Sequence, residues 1–425
     1  MKVLEGLGED DTDKEKWWKP QHSGFPFSTT EKLWEEEMRI RFLLAAVALC
    51  CGLPAHATET YDINAILPLT GGGAFLGKAE QQALRQYEKV VNSGGGIHGK
   101  QLRFIFHDDQ TSPQVAVQLA NQVKSDNPPV VLGSALVALC NAMAPLMKNG
   151  PVLYCFSPGI YPAAGGFIFS SSISTKELAG ALLRYAGRKG WKRVAVITST
   201  DASGQDAYKH LKTLIGSKDH KDVELVAEAQ FNPADLSASA QIQRLKGANP
   251  DILIAWSTGG PIGTVFKAIR DAGLDIPIAT TDGNMTYAQM SQYEPFLPKE
   301  LYIPSPDWLK TSRPNQNPNA VAAKNTFFKA FEGTNIRPDG PSTFAWDPAL
   351  LVVEALKKLK LGATADDLRK YLLELKGFGG IDGMYDFKAA PNRGLDESNV
   401  VVTRWDAKDK TWVVVSDPLG IPRAN

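Results

Sequence analysis

The stretch Gly72-Gly73-Ala74-Phe75-Leu76-Gly77-Lys78-Ala79 follows an apolar run and opens an amphipathic one. In that setting G-x-x-x-x-G-K can cradle phosphate on bared backbone N–H groups. Ala79, however, stands where a phosphate loop needs a Ser or Thr hydroxyl for magnesium, and the same pattern recurs at Gly94 to Lys100 between a helix and a strand, the wrong context. Nucleotide hydrolysis is therefore not expected. His107-Asp108-Asp109 could ligate a metal, but no second ligand cluster is near in sequence, and loop carboxylates before a helix serve as caps for its free N–H groups. Beyond residue 57 the histidines are His98, His107, His210 and His220, and neither G-x-S-x-G nor H-E-x-x-H occurs. Hydrolytic chemistry lacks its parts. No enzyme activity, cofactor or metal is expected.

A different set of residues recurs wherever an apolar run ends. Open α/β sheets bind ligands outside the carboxyl ends of their strands. In the first half of the chain these ends carry Thr70 to Gly77, including Phe75, then Gly133-Ser134-Ala135, then Phe156-Ser157-Pro158-Gly159-Ile160-Tyr161. In the second half they carry Thr200 to Gly204, including Ser203, then Trp256-Ser257-Thr258-Gly259-Gly260, then Thr281-Asp282-Gly283-Asn284. Small hydroxyls, glycines and a few aromatics at helix starts suit a small anion, because helix N-termini leave N–H groups unpaired.

The elements that must position these residues follow from periodicity. Strands are predicted at Tyr61–Leu67, Gln101–His107, Pro129–Leu132 and Pro151–Phe156, alternating with helices at Lys78–Val91, Pro113–Val123 and Val137–Met147. A second series follows. It has helices at Lys176–Arg188, Gln205–Ile215, Ala238–Leu245 and Ile262–Ala272, with strands at Arg193–Thr198, Val223–Ala229, Asp251–Trp256 and Ile276–Thr280. Two such βα series in tandem predict an α/β protein of two doubly wound, Rossmann-like sheets. Beyond them come Tyr302–Pro306, helices near Val321–Phe331, Pro348–Lys358 and Ala365–Leu375, and late strands at Val400–Trp405 and Thr411–Val415. That order implies a chain that returns to the first lobe and ends in the second.

Composition agrees with a folded chain. At 425 residues, 43% hydrophobic and 22% charged, the protein is long enough for two domains and is neither disordered nor a multi-span membrane protein. With 46 basic and 46 acidic residues it carries no basic field for nucleic acid. The amino terminus is exceptional. Residues 1–37 hold ten acids and five bases without an apolar period and read as a tail or an over-extended start. Met38-Arg-Ile-Arg, the apolar run Phe42 to Leu53 and Ala55-His56-Ala57 form a basic, apolar and small-residue series, the pattern of an export signal at 38–57 cleaved after Ala57. The residues preceding Cys50 and Cys51 are Leu49 and Cys50, not small ones, which argues against lipid attachment. Cys140 and Cys155 are the two cysteines after the signal, and in an oxidising compartment they are either a disulfide or two buried thiols.

Several residue groups together resemble the periplasmic leucine/isoleucine/valine-binding protein family, the type 1 solute-binding proteins of ABC importers. They are Leu67-Pro68-Leu69-Thr70-Gly71, Asn92-Ser93-Gly94-Gly95-Gly96-Ile97 with Gly99-Lys100, Asp108-Asp109 with Pro113 and Ala116, Ser157-Pro158, and Ala345-Trp346-Asp347-Pro348-Ala349. The resemblance implies two Rossmann-like lobes, 58–174 plus 304–381 and 175–303 plus 382–425, joined by a three-crossing hinge near Ser174, Ile303 and Ile381. It implies a monomeric periplasmic receptor that closes over a small carboxylate and delivers it to permease subunits of an ABC transporter. A ligand-sensing subunit reporting to a regulator without transport is the other role it allows. By the same resemblance Ser134 and Ala135 hold the ligand carboxylate, Ser157, Gly159 and Tyr161 lie beside it with Thr258, and Asp282 receives an ammonium. Thr175 stands where the family usually has a further acid, and Ser203 where it often has an aromatic ring. Those differences leave open an amino acid or an aromatic or aliphatic acid without an amine, for which Phe75 is a further contact.

Overall fold

The computed structural model describes residues 59–310 and 316–423. The tail, export signal and cleavage site expected at 1–57 lie outside the described residues. Strands β1 (Thr60–Leu67), β2 (Gln101–Asp108), β3 (Val130–Gly133), β4 (Val152–Cys155) and β5 (Ile168–Ser170) form one parallel sheet in the order β2-β1-β3-β4-β5. Helices α1 (Ala74–Ser93), α2 (Pro113–Ser125) and α3 (Val137–Met143) connect the first four strands. After α4 (Thr175–Arg188) the second sheet begins, with β6 (Arg193–Ser199), β7 (Glu224–Phe231), β8 (Ile252–Trp256), β9 (Ile278–Ala279) and β10 (Leu301–Pro306). Its connecting helices are α5 (Ala202–Leu214), α6 (Ser239–Gly247), α7 (Ile262–Asp271) and α8 (Tyr287–Tyr293). These strands run parallel in the order β7-β6-β8-β9-β10, so the two sheets repeat one topology.

Helices α9 (Pro318–Phe331), α10 (Gly340–Lys358) and α11 (Ala365–Glu374) return to the first sheet. Trp346 of α10 meets Tyr87 of α1 at 4.9 Å and Phe327 of α9 at 5.0 Å, edge to face. A hairpin of β11 (Lys376–Gly379) and β12 (Met384–Asp386) hangs from Asp347, whose carboxylate accepts bonds from the Ile381 and Asp382 N–H groups and the Tyr385 hydroxyl. The chain ends with β13 (Val400–Asp406) and β14 (Thr411–Val414), antiparallel additions to the second sheet beside β10. No helix among the described residues is long and apolar enough to cross a membrane.

Local sequence explains most boundaries. β3 and β8 are buried along their whole length, as strands covered on both faces must be, and their residues are almost all apolar. Ser112 caps α2 with Pro113 following, and Ser174 and Glu177 form a reciprocal capping box on α4. Four departures have physical causes. Helix α1 begins at Ala74 rather than Lys78, so Gly77 lies within a helix and not in a phosphate loop. A Cβ on Gly77 would sit 2.3 Å from the Pro68 carbonyl oxygen, so the glycine serves close approach of α1 to the end of β1. Helix α3 gives way at Ala144 to a 3-10 turn, because Pro145 cannot continue the hydrogen-bond ladder. Helix α10 starts at Gly340 instead of Pro348. An internal proline costs about 3 kcal/mol, but burial of Phe344 and Trp346, roughly 2–3 kcal/mol each, outweighs it, and Asp339 caps the new start. The short strand β5 and helix α8 carry too few residues to show a period.

The crossing positions also differ from expectation. The second sheet keeps β10 to Pro306, past the crossing expected near Ile303. Asn392 still binds Gly165, Gly166 and Ile168, so the chain stays with the first lobe well beyond Ile381 and leaves it after Arg393.

Cys140 of α3 and Cys155 at the end of β4 are joined in a disulfide, with Cα atoms 6.1 Å apart. Both sulfurs belong to the buried core under α2 and α3. Closing a loop of this length removes about 3 kcal/mol of unfolded-state entropy in the chain model. The double variant Cys140→Ala, Cys155→Ala should accordingly lose stability of that size in urea unfolding. A midpoint equal to that of the oxidised wild type would show that the bridge contributes nothing.

Candidate functional site

The carboxyl ends of the two sheets face each other, and the loops that follow the strands wall a cavity. From the first lobe come Leu76 of α1, the segment Ala135-Leu136-Val137 after β3, and Ser157-Pro158 after β4. The second lobe contributes Ser203 near the start of α5, Trp256 and Thr258 after β8, and Thr281-Asp282-Gly283 after β9. Thr175 at the first turn of α4 and Phe344 of α10 complete the walls. The cavity volume among these atoms is only about 10 Å³. That is room for roughly one water, so a larger guest requires the lobes to part.

Contacts across the mouth keep the lobes together. The Gly260 N–H donates to the Gly72 carbonyl at 3.0 Å. Gly259, at φ +84°, makes this approach possible, since a Cβ there would lie 2.5 Å from the Gly72 oxygen. Phe75 and Tyr293 meet edge to face at 6.1 Å. On the other side, Tyr161 donates to Asp206 at 3.2 Å and lies 2.9 Å from His210 Nε2, both on α5.

Asp282 is the only charged side chain lining the cavity, and it is 1% exposed. Burial raises its pKa from 3.8 to about 6, against the pull of three donors. Those donors are the Thr281 hydroxyl at 2.9 Å, the Gly283 N–H at 3.0 Å and the Ser172 hydroxyl, from the first crossing, at 3.2 Å. Asn284 braces the same loop. Its amide nitrogen donates to the Ser257 carbonyl and Thr280 hydroxyl, while its oxygen accepts from the Gly259 N–H. Thr258 and Ser203 share a hydroxyl–hydroxyl bond of 2.7 Å. The cavity therefore offers hydroxyls from both lobes and one carboxylate. Leu76, Leu136, Val137, Pro158, Trp256 and Phe344 form an apolar remainder.

Of the residues singled out from sequence, Ala135, Ser157, Thr175, Ser203, Thr258 and Asp282 line the cavity. Four do not. Ser134 is fully buried and donates to Asp109 at 2.7 Å, which itself is pushed by burial to about 6. Its hydroxyl is thus committed to the wall's interior. Phe75 faces Tyr293 and a wider groove outside. Gly159 packs against Val137 and has no side chain to extend. Tyr161 is 50% exposed and closes the rim through α5. Phe344 was missed because it lies in helical turns ahead of the predicted start at Pro348, whereas Leu76 falls inside the Thr70–Gly77 segment named from sequence. The capping pair Asp339 and Ser342 was the available signal for the first.

The family model described as periplasmic binding protein matches residues 60–410. An amino acid binding protein of Pseudomonas aeruginosa is 21% identical over 392 residues, covering 87% of this chain and 96% of that protein. Among solved structures, the branched-chain amino acid transporter substrate-binding protein of Streptococcus pneumoniae in complex with isoleucine aligns with a TM-score of 0.69 at 20% identity, covering 84% of this chain and 99% of that one. An ABC transporter solute-binding protein of R. palustris in complex with benzoate aligns with a TM-score of 0.68 at 20% identity, covering 86% and 98%.

The buried carboxyl of Asp282 has a consequence for stability. Folded, it holds its proton to about pH 6; unfolded, it releases it near 3.8. Between these values the native state binds more protons, so the contribution is full below the lower value and is lost as pH rises through the upper. Replacing Asp282→Asn should remove up to ~3 kcal/mol of the wild type's decline between pH 4 and 7.5. Asp109, Asp347 and Asp339, raised to about 6, 6 and 7 by burial, decline in the same direction in both proteins. Identical stability–pH curves for the two proteins in chemical denaturation would contradict the burial of that charge.

Proposed function

The chain belongs to the periplasmic binding protein family, the type 1 fold that includes leucine/isoleucine/valine-binding proteins, and from that premise we propose that it is the solute receptor of an ABC importer. Its lobes close over a small carboxylate with an apolar body and present it to a membrane permease. The family is one of binding proteins, which favours capture over turnover. A periplasmic location follows from the same family, with residues 38–57 proposed as the export signal.

The observation that carries this reading is a cavity lining that combines hydroxyls and Asp282 with the apolar side chains Leu76, Leu136, Val137, Pro158, Trp256 and Phe344. Helices α4 and α5 begin at it, with Thr175 and Ser203 in their first turns. Oriented N–H groups and hydroxyls there suit a ligand carboxylate. The apolar side chains suit a branched aliphatic or aromatic body, the two classes represented by isoleucine and benzoate in the structural neighbours. Asp282 is what separates them. An ammonium would pair with its ionised form, whereas a monoanion without an amine would require it protonated.

Proton linkage makes the distinction measurable, because Asp282 titrates near pH 6. Calorimetry at pH 6 in buffers of different ionisation enthalpy should show proton release on binding leucine or isoleucine, and proton uptake on binding benzoate. Asp282→Asn should abolish the exchange in either case, and should weaken an amino acid severely while sparing a monoanion. Absence of binding by any small carboxylate across a thermal-shift screen would remove the proposed function, since a ligand at about 100 times its Kd stabilises by ~2.7 kcal/mol.

A further inference from the structure

Arg393 lies where the chain leaves the first lobe for the last time, and it is 7% exposed. Its guanidinium pairs with no carboxylate among the described residues. Instead Nη1 donates to the Ser171 and Ser172 carbonyls at 3.4 and 3.2 Å, and Nη2 to the Pro158 carbonyl at 3.2 Å and to that of Ile160. One buried cation thus ties together the first crossing, the third crossing and the loop after β4. Two of its contacts lead into the cavity. Pro158 lines it, and Ser172, held at φ +61°, donates its hydroxyl to Asp282.

Glu177 and Asp206 act on the guanidinium through space without touching it, and each is also bound to other groups. Glu177 accepts from the Ser174 N–H and hydroxyl in the capping box of α4. Asp206 is bound to Tyr161 and 3.3 Å from His210 on α5, which also carries Lys209, and Lys176 adjoins the start of α4. The Tyr161 ring lies over the guanidinium at 6.0 Å. Carbonyl dipoles solvate the cation but do not cancel its charge, and an arginine does not shed its proton. In a wall that excludes water, such a charge acts at longer range than in solvent.

We propose that Arg393 is the positioning residue that holds the Pro158–Ile160 loop and Ser172 in register, and that its positive charge, paired directly with no carboxylate, makes the cavity select a carboxylate over the corresponding neutral amide. This rests on the solute-receptor reading above. Ser172 passes the alignment on to Asp282, so the same residue places the ligand's anionic end and the acid opposite it.

The test compares two acid–amide pairs, leucine with leucinamide and benzoate with benzamide, by calorimetry on wild type, Arg393→Gln and Arg393→Lys. Wild type should prefer at least one acid over its amide by a hundredfold or more. Arg393→Gln should cut that ratio at least tenfold, and Arg393→Lys should restore most of it even where its melting temperature falls, which a merely structural role would not produce. A folded Arg393→Gln protein with the wild-type ratio overturns the inference and leaves the receptor function standing. Wild type that binds neither acid overturns the receptor function itself, and this inference with it. If the Gln variant does not fold, ¹⁵N spectra of arginine-labelled wild type decide. The slowly exchanging guanidinium Nε–H should shift with the acid and not with the amide, and an unmoved signal overturns the proposal.

Discussion

Removing a carboxylate from water at the end of a parallel strand is the constraint around which the cavity is organised. Asp282 follows β9, at the carboxyl end of the second sheet where ligands of open α/β sheets bind, and is 1% exposed. A buried charge without partners is very costly, so the chain must bring donors to it. Two come from its own turn, Thr281 and the Gly283 N–H, and the third, Ser172, comes from the first crossing. The acid therefore ties the second lobe to the first crossing between the lobes. Asn284 and Gln289 then fasten the neighbouring loop, the latter donating to the Gly259 carbonyl at 3.0 Å. The glycine that meets Gly72 across the mouth is thus positioned by the same network that positions Asp282.

Periodicity reveals the two sheets because their strands obey a local rule. Strands such as Val130–Gly133 and Ile252–Trp256 are short apolar runs between turn signals, and burial on both faces requires that composition. The site was legible to the extent that it lies at strand ends, which is how Ala135, Ser157, Thr258 and Asp282 could be named from sequence. What was not legible depends on tertiary contacts. Ser134 and Ala135 are neighbours, yet one turns to Asp109 and the other to the cavity, a choice made by the packing of Asp109 beneath the loop. Phe344 is hidden behind a proline that local rules treat as a helix start. Arg393 and Ser172 lie more than 200 residues apart, and no sequence pattern indicates that they meet.

The first lobe carries a second group of buried acids, and these show what the closed cavity does not need. Glu80 on α1 is fully buried with neither carboxyl oxygen hydrogen-bonded, and burial together with Asp109 and Asp339 holds its pKa well above the ordinary range. A carboxyl in that position is biased toward its neutral form by burial and by the neighbouring acids. Asp282 differs in having three donors, which keep ionisation within reach of physiological pH. Donor count, not burial alone, separates an acid that can answer a ligand's charge from one that cannot.

The contacts between the lobes set what a ligand can do. They include the backbone hydrogen bonds of Gly260 to Gly72 and of Gly340 to Met285, the Arg337 guanidinium on the Lys410 carbonyl and Thr411 hydroxyl and over the Tyr287 ring, the Tyr161 hydroxyl between Asp206 and His210, and the ring pair of Phe75 and Tyr293. Hydrogen bonds of this kind contribute about 0.5–1.5 kcal/mol each after exchange with water, and an aromatic pair contributes a similar amount. A ligand touching both lobes adds contacts to the closed form alone, and a differential of ~5.5 kcal/mol moves the balance from 1:99 to 99:1. Asp282 and Ser203 on one side and Ser157 and Leu76 on the other are placed for such two-sided contact, whereas a molecule that met only one lobe would leave the balance where it was.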